Sequence, residues 1–344
     1  MLGSDLLDLL TGPHGVDRYT ELVAPTWTRD EARAKVGDVR RTTPRSVTLT
    51  LAPNDTFTSA HTVRAGQYVN VAVEINGRRH TRCYSPANAE GEAHLELTIG
   101  QHDGGLVSNY LYEHARRGMV VHLTGVGGDF LLPATRPRRI LFVSGGSGIT
   151  PVMAMLRTLV SEGHAGEVAF VHYARNPAEA CYRDELAAMP GVRVLHGYTR
   201  STGGDLVGRF GQEHLAAAMP APDAVFVCGP TALVEAVRQH CDNVYTESFV
   251  PPAFEAPANP SGGRITFADS GVDVVDDGRS LLEQAESAGL SPENGCRMGI
   301  CHTCTRRKIS GTVRNLTTGA VSTGADEDVQ ICVSVPVGDV DLSL

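Results

Sequence analysis

The sequence predicts three structural units in series: a small antiparallel β-barrel, a doubly wound α/β domain with a parallel sheet, and a small α+β domain. Short segments of period-2 hydrophobicity fall between residues 37 and 136. Apolar runs alternate with helical stretches between residues 137 and 250, and four of the eight cysteines fall after residue 295. A chain of 344 residues exceeds what one core usually organises. Its 42% hydrophobic and 20% charged residues are ordinary globular usage, which excludes a disordered or fibrous protein.

In the first unit, Val47–Leu51, Gln67–Val73 and Leu95–Ile99 alternate with turn residues between them, as barrel strands do. Residues 1–36 precede it and are read as a strap packed on the barrel. Within the strap, Thr28 followed by Glu31 has capping-box spacing and predicts a short helix. Two motifs lie on the barrel. Arg82-Cys83-Tyr84-Ser85-Pro86 offers a guanidinium for a phosphate, a ring to pack along a flat heterocycle, and a hydroxyl to hydrogen-bond it. Gly104-Gly105-Leu106-Val107-Ser108-Asn109-Tyr110-Leu111 reads as a glycine turn opening a helix, where bare amides meet an anion.

The second unit, residues 137–250, starts with the apolar run Ile140–Val143, then Ser144-Gly145-Gly146-Ser147-Gly148-Ile149-Thr150-Pro151 and a helix from Val152 to Ser161. Strand, glycine turn and helix N-terminus together form a phosphate cradle. Val168–Tyr173, Val192–His196 and Ala224–Val227 are further buried strands, separated by helices at Arg183–Ala188, Gln212–Ala218 and Thr231–His240. Such alternation implies a parallel sheet with ligands at the strand C-terminal ends. Cys228-Gly229-Pro230 and Glu247-Ser248-Phe249 sit at two such ends, and Arg175 and Arg183 flank a third.

The third unit, residues 262–344, follows a linker at 251–261 in which Pro251, Pro252, Pro257 and Pro260 exclude helix and central strand. Cys296, Cys301, Cys304 and Cys332 are spaced C-x4-C-x2-C, then 27 residues, then C. This is the plant-type [2Fe–2S] pattern, in which three thiolates of one loop and one from a later strand converge on two irons. A zinc site is the alternative, but zinc ribbons pair two C-x2-C turns and only one is present. Arg264–Ala268 with Val272–Val275 reads as a hairpin, Leu281–Glu286 as a helix, and Gly311–Arg314 and Gln330–Val333 as strands, together a β-grasp domain. Cys83, Cys181 and Cys241 are expected to be small buried residues, and His172, His196 and His214 structural or surface groups.

Charge and hydropathy narrow the function. A net charge of −9 argues against a nucleic-acid partner. No apolar run is long enough for a transmembrane helix. Met1–Leu10 holds Asp5 and Asp8 and no basic region, so a secretion signal is not expected. The expected location is the cytoplasm, peripheral to a membrane only through a partner.

The motifs R-x-Y-S, G-x-x-S, G-G-x-G-x-x-P and C-G-P occur in the order found in the ferredoxin–NADP reductase superfamily, which residues 36–250 resemble. Residues 262–344 resemble plant-type ferredoxin domains. The resemblance implies that Arg82, Tyr84, Ser85, Thr98, Gly105, Leu106, Val107, Ser108 and Phe249 bind flavin, FAD rather than FMN. It implies that Gly145, Gly146, Gly148, Thr150, Pro151, Arg175, Arg183, Cys228, Gly229 and Pro230 bind the nucleotide, NADPH rather than NADH. Cys228 and Thr150 would flank the nicotinamide. Electrons would pass from NAD(P)H through the flavin to the cluster and on to a separate protein. The whole chain resembles reductases that serve acyl-CoA desaturases or hydroxylases. A desaturase is the expected acceptor, with a ring-hydroxylating dioxygenase or other monooxygenase as the alternative. A non-catalytic electron-transfer or redox-sensing subunit is the alternative of another class.

Overall fold

The computed structural model describes residues 24, 26–28, 31–247, 249, 263–299 and 302–344. Most of the strap, the linker and Cys301 lie outside the described residues. Two compact units result, one holding the first two sheets and the other the C-terminal sheet.

The first sheet has six strands: β1 (Arg33–Thr43), β2 (Ser46–Pro53), β3 (Tyr68–Ile75), β4 (Arg78–Tyr84), β5 (Leu95–Gly100) and β6 (Val120–Gly127), in the order β4-β3-β6-β1-β2-β5. Two short helices accompany it, α1 (Asp55–Ala60) and α2 (Leu106–His114). Alternation sends Val47, Leu49, Leu51, Val69, Val71, Val73, Leu95, Leu97 and Ile99 into one barrel core. Asn76 and Gly77, both at positive φ, make the two-residue turn from β3 to β4.

The helix expected after Thr28 is not found at Glu31 and Ala32, which lead directly into β1. The Thr28 hydroxyl donates to the Glu31 carbonyl (2.5 Å). The Glu31 carboxylate is drawn to Arg33 (2.7 Å) and His122 (3.2 Å) instead of capping a helix. β1 therefore begins inside the segment read as a strap.

The second sheet is parallel throughout: β7 (Arg139–Gly145), β8 (Glu167–Ala174), β9 (Val192–Tyr198), β10 (Ala224–Cys228) and β11 (Val244–Glu247), in the order β11-β10-β7-β8-β9. Helices α3 (Ile149–Ser161), α4 (Arg183–Ala188), α5 (Gln212–Ala218) and α6 (Thr231–His240) connect the strands. α3 starts with Pro151 in its first turn and is followed by Gly163 at φ +67°. Ten of its residues are buried, among them Val152, Met153 and Leu156. Each such aliphatic side chain contributes about 1.5–3 kcal/mol by leaving water. Among the described residues no helix is long and apolar enough to cross a membrane.

The C-terminal sheet comprises β12 (Arg264–Phe267), β13 (Val272–Val275), β14 (Thr305–Asn315), β15 (Val321–Ser322), β16 (Glu327–Gln330) and β17 (Ser334–Leu342). Its order is β13-β12-β17-β14-β15, with β16 also paired to β14. α7 (Leu281–Ser287) packs on it and opens with a full capping box, Ser280 and Glu283. The strand expected at Gln330–Val333 is a correction: Ile331 to Val333 form a turn between β16 and β17. Val333 donates to Gln330 (3.2 Å), and the Ile331 carbonyl is taken by Leu282 (2.9 Å), so these groups close a turn and a helix contact rather than a ladder. Lys308 is fully buried, and its ammonium donates to the carbonyls of Gly311, Ser322 and Gly324 at 2.6–3.0 Å, which supplies the partners a buried charge needs.

Candidate functional site

At the end of β7, Gly145 leads into a tight turn over Gly146–Gly148, and α3 begins at Ile149. Gly146 has φ +57°, a conformation that favours glycine. A Cβ on Gly148 would lie 2.3 Å from the Cys228 carbonyl oxygen, and one on Gly229 would lie 3.1 Å from the Gly145 amide. The G-G-x-G turn after β7 and the C-G-P turn after β10 thus interlock through their glycines. They present two helix N-termini, α3 and α6, neither capped by a side chain. Bare first-turn amides at a strand C-terminal edge are an anion cradle. Thr150 is buried in the α3 first turn, its hydroxyl donating to Ser147 (3.3 Å).

The register places Glu247, Cys228, Ser144, His172 and His196 in one row across all five strands. Burial pushes the Cys228 thiol well up, with the Glu247 carboxyl adding to it. Burial also pushes Glu247 up to about 8, and its Oε2 atom has no hydrogen-bond partner. Ser144 meets His172 Nδ1 at 2.8 Å, while the Nε2 atoms of His172 and His196 have no partner. Burial lowers His172 to about 3. The row is therefore polar and uncharged at neutral pH. Glu247 was placed at a strand end with Ser248 and Phe249, but only Phe249 was assigned a role from the sequence. Its position at the last residue of the last strand, level with Cys228, is the signal that would have found it.

The same edge carries three arginines. Arg175 follows β8 and pairs with Glu179 (3.5 Å), and Arg183 in α4 pairs with Asp184 (3.1 Å). Arg200 follows β9, exposed, and its amide donates to the Arg175 carbonyl (2.8 Å). Arg200 was missed because its strand end carries no glycine motif. Burial first, and then the charges of Arg45 and Arg175, lower the His102 imidazole in the loop before α2.

On the barrel, Arg82 and Tyr84 lie on β4, with Ser85 just beyond it. Tyr84 packs against the barrel core, and Arg82 donates to the Thr81 carbonyl (2.7 Å). The Ser85 hydroxyl is buried without a partner, which fits a hydrogen bond to a bound group. Gly105 precedes α2 with no side-chain cap, and a Cβ there would come within 2.4 Å of the Ser108 hydroxyl. Val107 and Ser108 are buried, whereas Leu106 is exposed. The Thr98 hydroxyl meets Thr48 (2.6 Å) and Tyr182. Phe249 is half-buried beyond β11. Cys181 is buried as expected, but Cys83 and Cys241 are only partly so.

In the C-terminal unit Cys296, Cys304 and Cys332 are all buried. A hydrogen bond with Cys304, then burial, and the proximity of Cys304 and Cys296, drive the Cys332 thiol far up. Cys296 and Cys304 thus lie near Cys332, but among the described residues no three such side chains converge closely enough to hold a metal ion, and Cys301 lies outside them. The Met298 amide donates to Cys296 Sγ (3.3 Å), the kind of amide–sulfur contact that tunes a cluster. Gly299, at φ +76°, packs so closely that a Cβ would lie 2.8 Å from Val333. Its carbonyl accepts from Gln330 (2.8 Å), which ties the loop to the Cys332 turn. Arg297 forks onto Glu286 of α7.

Comparisons with known proteins match this layout. Residues 51–131 match the oxidoreductase FAD-binding domain, 142–239 the oxidoreductase NAD-binding domain, and 265–337 the 2Fe-2S iron–sulfur cluster binding domain. An NADPH oxidoreductase of Mycobacterium tuberculosis is 34% identical, covering 96% of this chain and 89% of its own. A glycine betaine monooxygenase reductase subunit of Pseudomonas aeruginosa is 30% identical, covering 80% and 86% respectively. The solved structure of a phthalate dioxygenase reductase superposes with a TM-score of 0.62 at 22% identity, covering 92% of this chain and 98% of its own, and shares the fold. The chain belongs to the ferredoxin–NADP reductase-type oxidoreductases that join an FAD-binding domain, an NAD-binding domain and a 2Fe-2S domain in one polypeptide.

Proposed function

We propose that this chain is the NADPH-dependent reductase component of an oxygenase system, delivering electrons one at a time to a separate oxygenase. The observation that carries this reading is the joining of two devices in one chain: the interlocked glycine turns of the nucleotide edge, and a loop of buried thiols with cluster-ligand spacing. Two relatives are reductases of oxygenases by name, which supports the acceptor class. An acyl-CoA desaturase is the narrower proposal for the acceptor, resting on the whole-chain resemblance.

When bound, NADPH supplies a hydride, FAD accepts the pair and releases electrons singly, and a [2Fe–2S] cluster carries one at a time. The protein's own residues place and insulate. Gly145, Gly146, Gly148, Pro151, Gly229 and Pro230 shape the phosphate cradle with α3 and α6. Cys228, a neutral buried thiol, and Thr150 border the nicotinamide position without serving as nucleophile or base. Glu247 holds its proton at neutral pH and sets no carboxylate against the reacting edge. Arg175, Arg183 and Arg200 form the cationic rim that favours a 2′-phosphate. Arg82, Tyr84, Ser85, Gly105, Val107 and Ser108 hold the flavin, and Cys296, Cys301, Cys304 and Cys332 the cluster.

Anaerobic mixing with NADPH or NADH tests the reading. NADPH is expected to bleach the flavin at lower concentration than NADH. Absence of bleaching with either would leave the electron-transfer subunit as the better reading. Reconstitution with a desaturase and with a ring-hydroxylating oxygenase then decides the acceptor.

A further inference from the structure

Alternation along β2 and β5 sends Leu49 and Leu97 into the barrel core and turns Thr48 and Thr98 to the opposite face. A small barrel would leave these hydroxyls in water, yet both threonines are buried. Tyr182, from the parallel-sheet domain, accounts for the difference. Its hydroxyl meets Thr98, and donates to Glu96 of β5 (3.2 Å). Thr98 continues to Thr48 (2.6 Å), and Thr48 to Thr42, so hydroxyls run unbroken from Tyr182 across β5, β2 and β1.

Arg157 of α3 closes the junction. Its guanidinium donates to Glu185 of α4 (2.7 Å, twice), to Glu96 (2.8 Å) and to the Ala87 carbonyl (2.8 Å), and lies 5.0 Å from the Tyr182 ring centroid. Tyr182 itself sits at φ 58°, left-handed backbone that a non-glycine residue keeps only when its surroundings impose it. It stands between Arg175 and Arg183 in sequence, and α3, which holds Arg157, begins at the phosphate turn.

We propose that Tyr182 and Arg157 are positioning residues for hydride transfer. They pin the nucleotide-binding edge to the barrel and so set how the nicotinamide meets the flavin. In that step the nicotinamide C4–H bond breaks and the hydrogen passes with its electron pair to flavin N5. The nicotinamide is oxidised by two electrons and the flavin reduced by two. Small errors in this alignment are costly to rate while sparing contacts made elsewhere on the nucleotide. The proposal rests on the reductase reading.

The test uses full-length holoprotein carrying Tyr182→Phe, which removes one oxygen, or Arg157→Met, which removes the fork. Three quantities are read: NADP+ affinity by calorimetry, the long-wavelength charge-transfer absorbance between nucleotide and flavin, and the flavin-reduction rate at saturating NADPH. The expected result is affinity within about threefold of wild type, absorbance at least halved, and a rate lowered about tenfold. Unchanged absorbance and rate in both variants would overturn the proposal. So would a loss of rate that merely follows lost affinity or lost FAD. If Arg157→Met fails to fold, Tyr182→Phe alone decides. Wild type that is not bleached by NADPH or NADH would instead sink the reductase reading.

Discussion

The nucleotide edge and the cluster loop both hold buried thiols, and the main cause that raises Cys228 differs from the one that raises Cys332. At the edge, Cys228 stands apart from any other thiol in the row, and burial is the main cause. Its neighbours Ser144, His172 and Glu247 are uncharged too, so the site is a neutral surface beside an anion cradle. In the loop, the first cause at Cys332 is its hydrogen bond with Cys304, and Cys296 adds to the effect. A solitary buried thiol is a packing residue, whereas neighbouring thiols with ligand spacing suit a thiolate-bound group. The glycines divide in the same way. Gly148 and Gly229 let two turns touch backbone to backbone, while Gly299 lets the loop close on the Val333 side chain.

Exchanging the thiols tests this contrast most severely. Cys304→Ser or Cys332→Ser should abolish the iron–sulfur visible bands and lower one-electron transfer to cytochrome c by about a hundredfold or more, with NADPH-to-ferricyanide activity retained. Cys228→Ser should leave the bands intact; their loss would break the comparison. Gly148→Ala comes next, because its methyl would collide with the Cys228 carbonyl at 2.3 Å. It should cost about 1–3 kcal/mol of stability and raise the NADPH KM at least tenfold, read from melts and steady-state rates.

The neutrality of the edge predicts a pH effect. Glu247 is raised from 4.5 in the unfolded chain to about 8 in the fold. Its contribution to stability is complete below about pH 4.5, falls as pH rises and is lost above about pH 8. Glu247→Gln should therefore remove part of the wild-type loss between pH 5 and 8, on the order of 1 kcal/mol per pH unit at most. Denaturant titrations at both ends of that window would show it. Parallel profiles for the two proteins would mean the carboxyl is not held protonated. The smallest expected effect is at the rim. Arg200→Ala should raise the NADPH KM about three- to tenfold and leave the NADH KM unchanged. An equal rise for both nucleotides would remove Arg200 from the 2′-phosphate site.

Much of the fold was legible in the residues. The helices at Arg183–Ala188, Gln212–Ala218 and Thr231–His240 fall where periodicity placed them. The parallel sheet followed from alternating runs that are largely apolar, as strands covered on both faces are. The barrel was less legible. β1, which carries several exposed polar residues, and β6, whose alternation two glycines interrupt, escaped notice, although Asn76-Gly77 is a strong hairpin signal for β3 and β4. Glu31 and Ala32 are not helical because a capping box predicts only a local preference, and Arg33 and His122 offered the carboxylate better partners. The Cys332 strand failed because the apolar run Ile331–Val333 serves the core from a turn.

The sequence by itself determined the chemistry-bearing pieces: the cysteine spacing, the glycine turns at strand ends and the order of the units. These are local, since ligand spacing and backbone freedom are set within a few residues of chain. Tertiary structure decided what those pieces become. It aligned Glu247 with Cys228 across neighbouring strands, set Arg200 beside Arg175, and buried Thr48 and Thr98 beneath Tyr182. Those outcomes depend on strand register and on which domain covers which face, and both are fixed by contacts between residues far apart in the chain.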